Sequence, residues 1–333
     1  MRKNRDICCR NQKKDMSVAE FLNSPHETAF SFEVLPPVKG HSIEQIYKTI
    51  DRLRQFNPAY INITTHRSDY IYREKEPGIY IRQEERHRPG TVAIAAAIKN
   101  KYNIPTVPHI ICSGFTAQET EYELIDLSFL GIMDLILLRG DKSKEDARFT
   151  PMPGGLSHAS ELCSLVNNFN AGNLLDGKKH EMINDVPFTY GVAGYPEKHE
   201  EAMNLQTDLD ALKDKVAQGA EYVVTQMFFD NEKYFDFVKR CREAGITVPI
   251  IPGIKPIGSL KHLDVLPKTF HIDFPEPLAK ELAKCKSNDE VKQLGIEWAV
   301  LQAKELKAAN VPSIHFYSMN ASLAIEAIAK QVY

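Results

Sequence analysis

Residues 29–66, AFSFEVLPPVKGHSIEQIYKTIDRLRQFNPAYINITTH, hold a strand, a helix and a second strand in immediate succession. AFSFEVL (29–35) alternates along its length and is stopped by two prolines. SIEQIYKTIDRLRQF (42–56) repeats its apolar residues at helical spacing, and YINITTH (60–66) is rich in β-branched residues. Two strands joined through a helix pair in parallel, so this stretch reads as a βαβ unit. One residue breaks its pattern: Glu33 is a carboxylate inside an apolar strand. A charge buried there costs several kcal/mol unless it has a partner, a proton or an opening to water. Alternation places Ser31, Glu33 and Leu35 on one face and Phe30, Phe32 and Val34 on the other.

The same unit recurs along the chain. Further strands are read at 106–112, 134–140, 189–195, 222–229, 248–254 and 313–319, which makes eight. Helical periods fall at 91–102, 116–130, 206–219, 231–245 and 321–333, most of them ending at Gly or Asn. Two intervals are long, about 48 residues before strand five and about 58 before strand eight. The first holds a Gly/Pro-rich stretch at 150–158 and a helix at 159–169, and the second holds helices near 259–266, 275–284 and 288–309. The expected fold is α/β: a single (β/α)8 TIM barrel over residues 25–333, with extra helices in the loops before strands 5 and 8. A doubly wound open sheet is the alternative.

Composition narrows the function. A hydrophobic fraction of 43% and a charged fraction of 26% in 333 residues are those of a globular chain with a large core. A net charge of −3 with scattered Lys and Arg gives no field for nucleic acid or anionic membrane. No run reaches the ~18 apolar residues of a membrane span, and the basic residues 1–15 lack the apolar core of a signal peptide. A cytoplasmic protein is expected, with residues 1–24 as a loosely ordered tail and either Met1 or Met16 as start. Six cysteines, Cys8 and Cys9 among them, form no CxxC, and eleven histidines form no metal-binding spacing. Reduced thiols and no metal are expected.

If the barrel holds, polar residues at the strands' C-terminal ends converge on one face. These are Glu33; Thr64, Thr65 and His66; His109; Arg139 and Asp141; Tyr195, Glu197 and His199; Gln226 and Asp230; and His315, Tyr317 and Asn320. Each has a purely structural reading as well. Asp141 suits a helix cap or turn, His109 a hydrogen-bonded core position, Gln226 a satisfied barrel layer, and Glu33 an internal ion pair. There is no GxSxG, no P-loop and no GxG, so a nucleophile elbow and a Rossmann dinucleotide site are absent. One isolated acid, an Asp–Arg turn and several aromatics suit a flat conjugated ligand and a proton transfer better than hydrolysis.

Seven stretches, SFEVLPP (31–37), PHIIC (108–112), LLRGD (137–141), GVAGYPEKHEEA (191–202), LKDKVAQGAEYVVTQMFFD (212–230), IPGIKPI (251–257) and HFYSMN (315–320), resemble the 5,10-methylenetetrahydrofolate reductases. The resemblance runs from about residue 28 to 330, and the order and spacing of the stretches make it specific. It implies a (β/α)8 flavoprotein with FAD on the barrel's C-terminal face, reduced by NADH or NADPH and reoxidised by 5,10-methylenetetrahydrofolate in a ping-pong cycle that serves methionine synthesis. Glu33 matches the family's general acid, which protonates N10 as the methylene bridge opens. Asp141 matches a catalytic residue near both flavin and pterin, and Gln226 a side chain that binds the pterin. Thr64, Thr65, His109, Arg139, Gly140, Ala159, Tyr195, His199, Ala202, Asp208 and Lys215 match cofactor-binding positions, with Arg139 and Lys215 directed toward the pyrophosphate.

Four residues depart from the pattern. Ala321 stands where some relatives carry an arginine for the folate's glutamate tail, His158 where some carry a flavin-stacking tyrosine, and His262 and Leu266 where Gln and Phe are expected. Relatives form dimers or tetramers, so a homo-oligomer is expected. The S-adenosylmethionine-binding domain of larger eukaryotic relatives is expected to be missing. A folate-handling methyltransferase barrel without flavin, or a barrel subunit that receives electrons from a protein partner, are the alternatives.

Overall fold

The computed structural model describes residues 16–143, 146–180, 186–318 and 321–333. Strand and helix alternate from the first unit onward. The strands are β1 (Ala29–Val34), β2 (Tyr60–Ile63), β3 (Asp69–Glu76), β4 (Ile79–Glu85), β5 (Thr106–Ile111), β6 (Asp134–Leu138), β7 (Thr189–Gly194), β8 (Tyr222–Thr225), β9 (Ile250–Ile251), β10 (Gly253–Ile254) and β11 (Ser313–Phe316). The helices are α1 (Val18–Asn23), α2 (Glu44–Leu53), α3 (Thr91–Tyr102), α4 (Ala117–Phe129), α5 (Ala159–Asn170), α6 (Leu205–Ala217), α7 (Asn231–Glu243), α8 (His262–Phe270), α9 (Glu276–Leu282), α10 (Asn288–Ala308) and α11 (Ser322–Val332).

Nine strands form one parallel sheet in the order β10-β11-β1-β2-β5-β6-β7-β8-β9. Its two end strands are separated in sequence only by Pro252, so the sheet curls into a nearly closed barrel. β9 pairs with β8 and β10 with β11, so this stretch changes partner at the proline. Proline has no N–H to give to a ladder, which makes a break there natural. The Pro252 carbonyl still serves the barrel by accepting from His315 N–H at 2.9 Å. An open doubly wound sheet does not describe this arrangement.

The alternation read in 29–35 is realised. Phe30, Phe32 and Val34 pack outward with Ile46, Ile50 and Leu53 of α2 in the main core. Ser31 and Glu33 point inward, and register places Glu33 beside Asn62 of β2. Hence one strand supplies both core packing and a polar interior.

Order begins earlier than the sequence reading places it. Residues 18–23, assigned there to a loose tail, form α1, with Ser17 and Glu20 in a reciprocal capping box. Val18, Ala19 and Leu22 pack on Tyr60, Val107, Ile136 and Tyr222 from four strands and seal the barrel's N-terminal end. Six residues have little helicity alone, so tertiary burial makes this helix. Residues 1–15, with Cys8 and Cys9, and Asn320 lie outside the described residues.

A second difference is β3 and β4, an exposed antiparallel hairpin turned at Gly78. The strands of the ring are also shorter than read. β8, for example, ends at Thr225, which leaves Gln226 in the loop at the rim. Among the described residues, no helix is long and apolar enough to cross a membrane.

Candidate active site at the barrel mouth

The strands' C-terminal ends surround a cleft of ≈ 340 Å³. Glu33, Thr64, Thr65, His109, Arg139, Gly140, Asp141, Tyr195, His199 and Gln226 all line it. Ala159, Ala202, Asp208 and Lys215 do not. Asp208 stands one step behind, accepting from His199 N–H at 2.9 Å, and Ala202 N–H donates to His199 O at 3.1 Å. Lys215 is inward of them and donates to Ala193 O at 3.0 Å. Ala159 opens α5 outside the cleft wall, next to the N-cap residue His158.

Glu33 is 5% exposed. Burial pushes its carboxyl up to about 7, against the opposing pull of the Lys255 ammonium. Lys255 is 5% exposed as well, directly after β10. Continuing the register by one residue sets Lys255, Tyr317 and Glu33 in one layer across β10, β11 and β1. The polypeptide around the acid is tied down by Ser318 Oγ, which donates to the Glu33 carbonyl at 2.6 Å. Tyr317 OH donates to Thr225 O at 2.5 Å, past Gly253 of the intervening β10.

Two buried histidines line the floor. His109 and His315 are each held near pKa 3 by burial, so both are neutral rings at pH 7. Asn62 contacts His109 at 3.2 Å and Ser31 contacts His315 at 3.1 Å. The far rim is ionic: Arg139 is bound by Glu201 and, at 3.3 Å, by Glu200, while His271 contacts Glu200 at 3.2 Å. Arg139 is therefore already neutralised by two carboxylates. Burial raises the Asp141 carboxyl above its ordinary value, with Arg139 opposing. Burial likewise lowers His199 and Lys215.

Backbone shape completes the wall. Gly140 has φ +80°, and a Cβ there would lie 2.9 Å from Ser113 Cβ, so the turn between Arg139 and Asp141 requires glycine. Gln226 folds its side-chain oxygen onto Met227 N–H at 2.9 Å. Among the described residues, Asn62 Oδ1 and His315 Nε2 are buried with no protein hydrogen-bond partner. Such groups are costly unless a ligand or water meets them. Among the described residues no cluster of His, Cys, Asp or Glu could hold a metal.

A family model described as methylenetetrahydrofolate reductase matches residues 18–333. The chain belongs to the methylenetetrahydrofolate reductase family. It is 30% identical over 295 residues to the 5,10-methylenetetrahydrofolate reductase of Escherichia coli, covering 87% of this chain and 86% of that protein. It is 29% identical over 324 residues to methylenetetrahydrofolate reductase (NADH) 1 of Arabidopsis thaliana, covering 92% of this chain and 49% of the plant protein. The chain spans about half the length of that relative and of other curated eukaryotic members. A solved, uncharacterised protein from Clostridium thermocellum that binds two copies of 5-methyl-5,6,7,8-tetrahydrofolic acid shares the fold, with TM-score 0.55 and 16% identity over 94% of this chain and 96% of that one.

Some of this reductase-family site was not read from the sequence. Asn62 carried a signal, a polar residue at an inward position of YINITTH. Lys255 carried a weaker one, a lone cation in the apolar run IPGIKPI. Thr269, Phe270 and His271, which overhang the cleft from α8 and its cap, carried none, because only the packing of a long loop brings them there.

Proposed function

We propose that this chain reduces 5,10-methylenetetrahydrofolate to 5-methyltetrahydrofolate, with NADH or NADPH as reductant and FAD as resident carrier, in a ping-pong cycle. The observation that carries this reading is Glu33: an inward carboxyl, buried at the cleft and pushed up to about 7. An acid that must give a proton near neutral pH needs such a value. Counting 250–254 as one strand interrupted at Pro252 makes the ring a (β/α)8 barrel, whose chemistry belongs at this face.

The cleft suits a flat, polar-edged cofactor. Its walls offer two unmet buried groups, Asn62 Oδ1 and His315 Nε2, and the tight Gly140 turn that sets Arg139 and Asp141 at the rim. Thr64, Thr65, His109, Gly140, Asp141, Tyr195 and His199 would hold the FAD, with Asp208, Lys215, Ala159 and Ala202 supporting that side from behind. When bound, it supplies a carrier that takes hydride from the nicotinamide and yields it to the folate. Glu33 gives its proton to N10 as the bond from N10 to the methylene carbon breaks, the electron pair staying on N10 and N5 forming an iminium. Asp141 and Gln226 meet the pterin edge and hold the methylene carbon in place.

Glu33→Gln tests the assignment. The variant should keep its flavin colour and its bleaching by NADH or NADPH in anaerobic stopped flow, while reoxidation by methylenetetrahydrofolate slows by about 10²–10⁴-fold. Normal reoxidation would remove Glu33 from the mechanism. Purified protein without a flavin band would favour a methyltransferase barrel, and flavin that neither nicotinamide bleaches would favour a protein electron donor.

A further inference from the structure

Beside the Glu33 cleft the mouth carries a second depression, of ≈ 430 Å³. Its charged lining is Lys39, Arg73, Arg86 and Arg88 against Glu84 and Glu85, four cations and two anions. A net local charge of two positive is notable on a chain whose total is −3. Lys39 lies in the loop after β1, six residues beyond Glu33; Arg73 is on β3, and Arg86 and Arg88 follow β4. These segments follow the C-terminal ends of β1 and β2, so the depression sits on the rim of the mouth.

The two segments are fastened together. Lys39 N–H donates to His87 O at 2.7 Å, and the Arg88 guanidinium donates to the Pro36 carbonyl. Lys39 also pairs with Glu85 at 3.6 Å. The Arg88 charge, after burial, helps lower His66, a residue lining the active cleft, so the depression lies close to that cleft. In the ring order, β1 and β2 stand across from β7 and β8, near which Arg139, His199, Asp208 and Lys215 gather. The cationic depression is therefore across the mouth from Arg139, His199, Asp208 and Lys215, on the side where Thr64 and Thr65 follow β2.

Substrate chemistry gives this placement a use. The proposed substrate carries its aminobenzoyl arm on N10, the atom that Glu33 protonates, and the arm ends in the carboxylates of one or more glutamyl residues. An arm that starts at β1 must leave over the rim loops next to β1. We propose that the depression lined by Lys39, Arg73, Arg86 and Arg88 is the subsite for those glutamyl carboxylates. Guanidinium groups suit them because they pair with carboxylates in two-point contacts. This inference rests on the reductase reading given above, and it assigns the tail a place that does not depend on position 321, where this chain has alanine.

The test uses the flavin-loaded enzyme with three substrates: 5,10-methylenetetrahydropteroate, which has no glutamate, the monoglutamate, and the triglutamate. KM should fall along that series for the wild type. In Lys39→Gln/Arg73→Gln the advantage of the triglutamate over the pteroate should shrink by about tenfold, equivalent to one or two charge-assisted contacts. The pteroate KM and the rate of flavin bleaching by nicotinamide should stay put, which a general folding defect would not allow. Raising ionic strength should erode the triglutamate advantage in wild type more than in the double variant. Exposed Lys280→Gln, on α9, serves as the control and should leave the series unchanged. Equal KM values for all three substrates in an active wild-type enzyme, or an unchanged series in the double variant, would overturn the subsite and leave the reductase reading standing. A wild type that turns over none of the three would remove both.

Discussion

At the scale of single residues, the interior layer holding Glu33, Tyr317 and Lys255 sets how the acid behaves. A buried ammonium favours the ionised carboxylate, so Lys255 keeps Glu33 near 7 instead of higher. The other titratable groups around this layer are His315 on β11, His109 on β5, His66 after β2, and His262 on α8 beside Lys255. In the proposed mechanism the folate half-reaction needs Glu33 protonated, so its rate should decline as pH rises through about 7. Lys255→Met removes the cation, raises the Glu33 pKa and should move that alkaline limb to higher pH, while Lys255→Arg should leave it in place. Stopped-flow pH profiles of the two half-reactions check this, since lost packing alone would lower the rate without moving the limb. Glu33 was legible because a carboxylate interrupts an apolar alternation that fixes its direction. Its partner was not, because Lys255 reaches it only when the first and last parts of the chain meet.

At the scale of elements, periodicity located every strand of the ring but overran most C-terminal ends, where the residues leave the ladder and turn into rim loops. That overrun placed Gln226 within a strand, although the loop position is what brings it to the cleft. The hairpin of β3 and β4 left no amphipathic trace. Its strands DYIYREKE and IYIRQEE are exposed on both faces, with Tyr72, Ile79, Tyr80 and Ile81 open to solvent. Alternation signals a strand only when one face is buried. Helix α1 failed to register for the opposite reason, being too short to show a period although Val18, Ala19 and Leu22 are all used in packing. Leu22 is 4% exposed against the barrel floor. Leu22→Ala should lower stability by about 2–5 kcal/mol, read as a reduced urea midpoint at unchanged slope. Activity at low temperature should survive, because α1 is at the end remote from the cleft.

At the scale of the whole molecule, the barrel is closed by a strand that changes partner at Pro252, and Gly253 is the tightest point of that closure. A Cβ on Gly253 would meet Thr225 O at 2.4 Å and Tyr317 Cε2 at 2.5 Å. Gly253→Ala must push β8 and β11 apart, with an expected cost of about 1–3 kcal/mol and a loosened Tyr317 contact to Thr225. Thermal unfolding measures the cost, and a lower affinity for the proposed flavin would report the widened mouth. The seam also has a history in time. β1 pairs with β11 from Ala29↔Ser313 to Phe32↔Phe316, and α1 waits on Asp134, whose carboxylate accepts the Val18 N–H at 2.8 Å. During synthesis the opening strand can pair with β2 early, but its other edge stays open until residue 316 has left the ribosome. Contacts this distant in sequence make for slow folding and a long exposure to aggregation. The strand that carries the acid is therefore left open to aggregation on one edge until the last strand arrives.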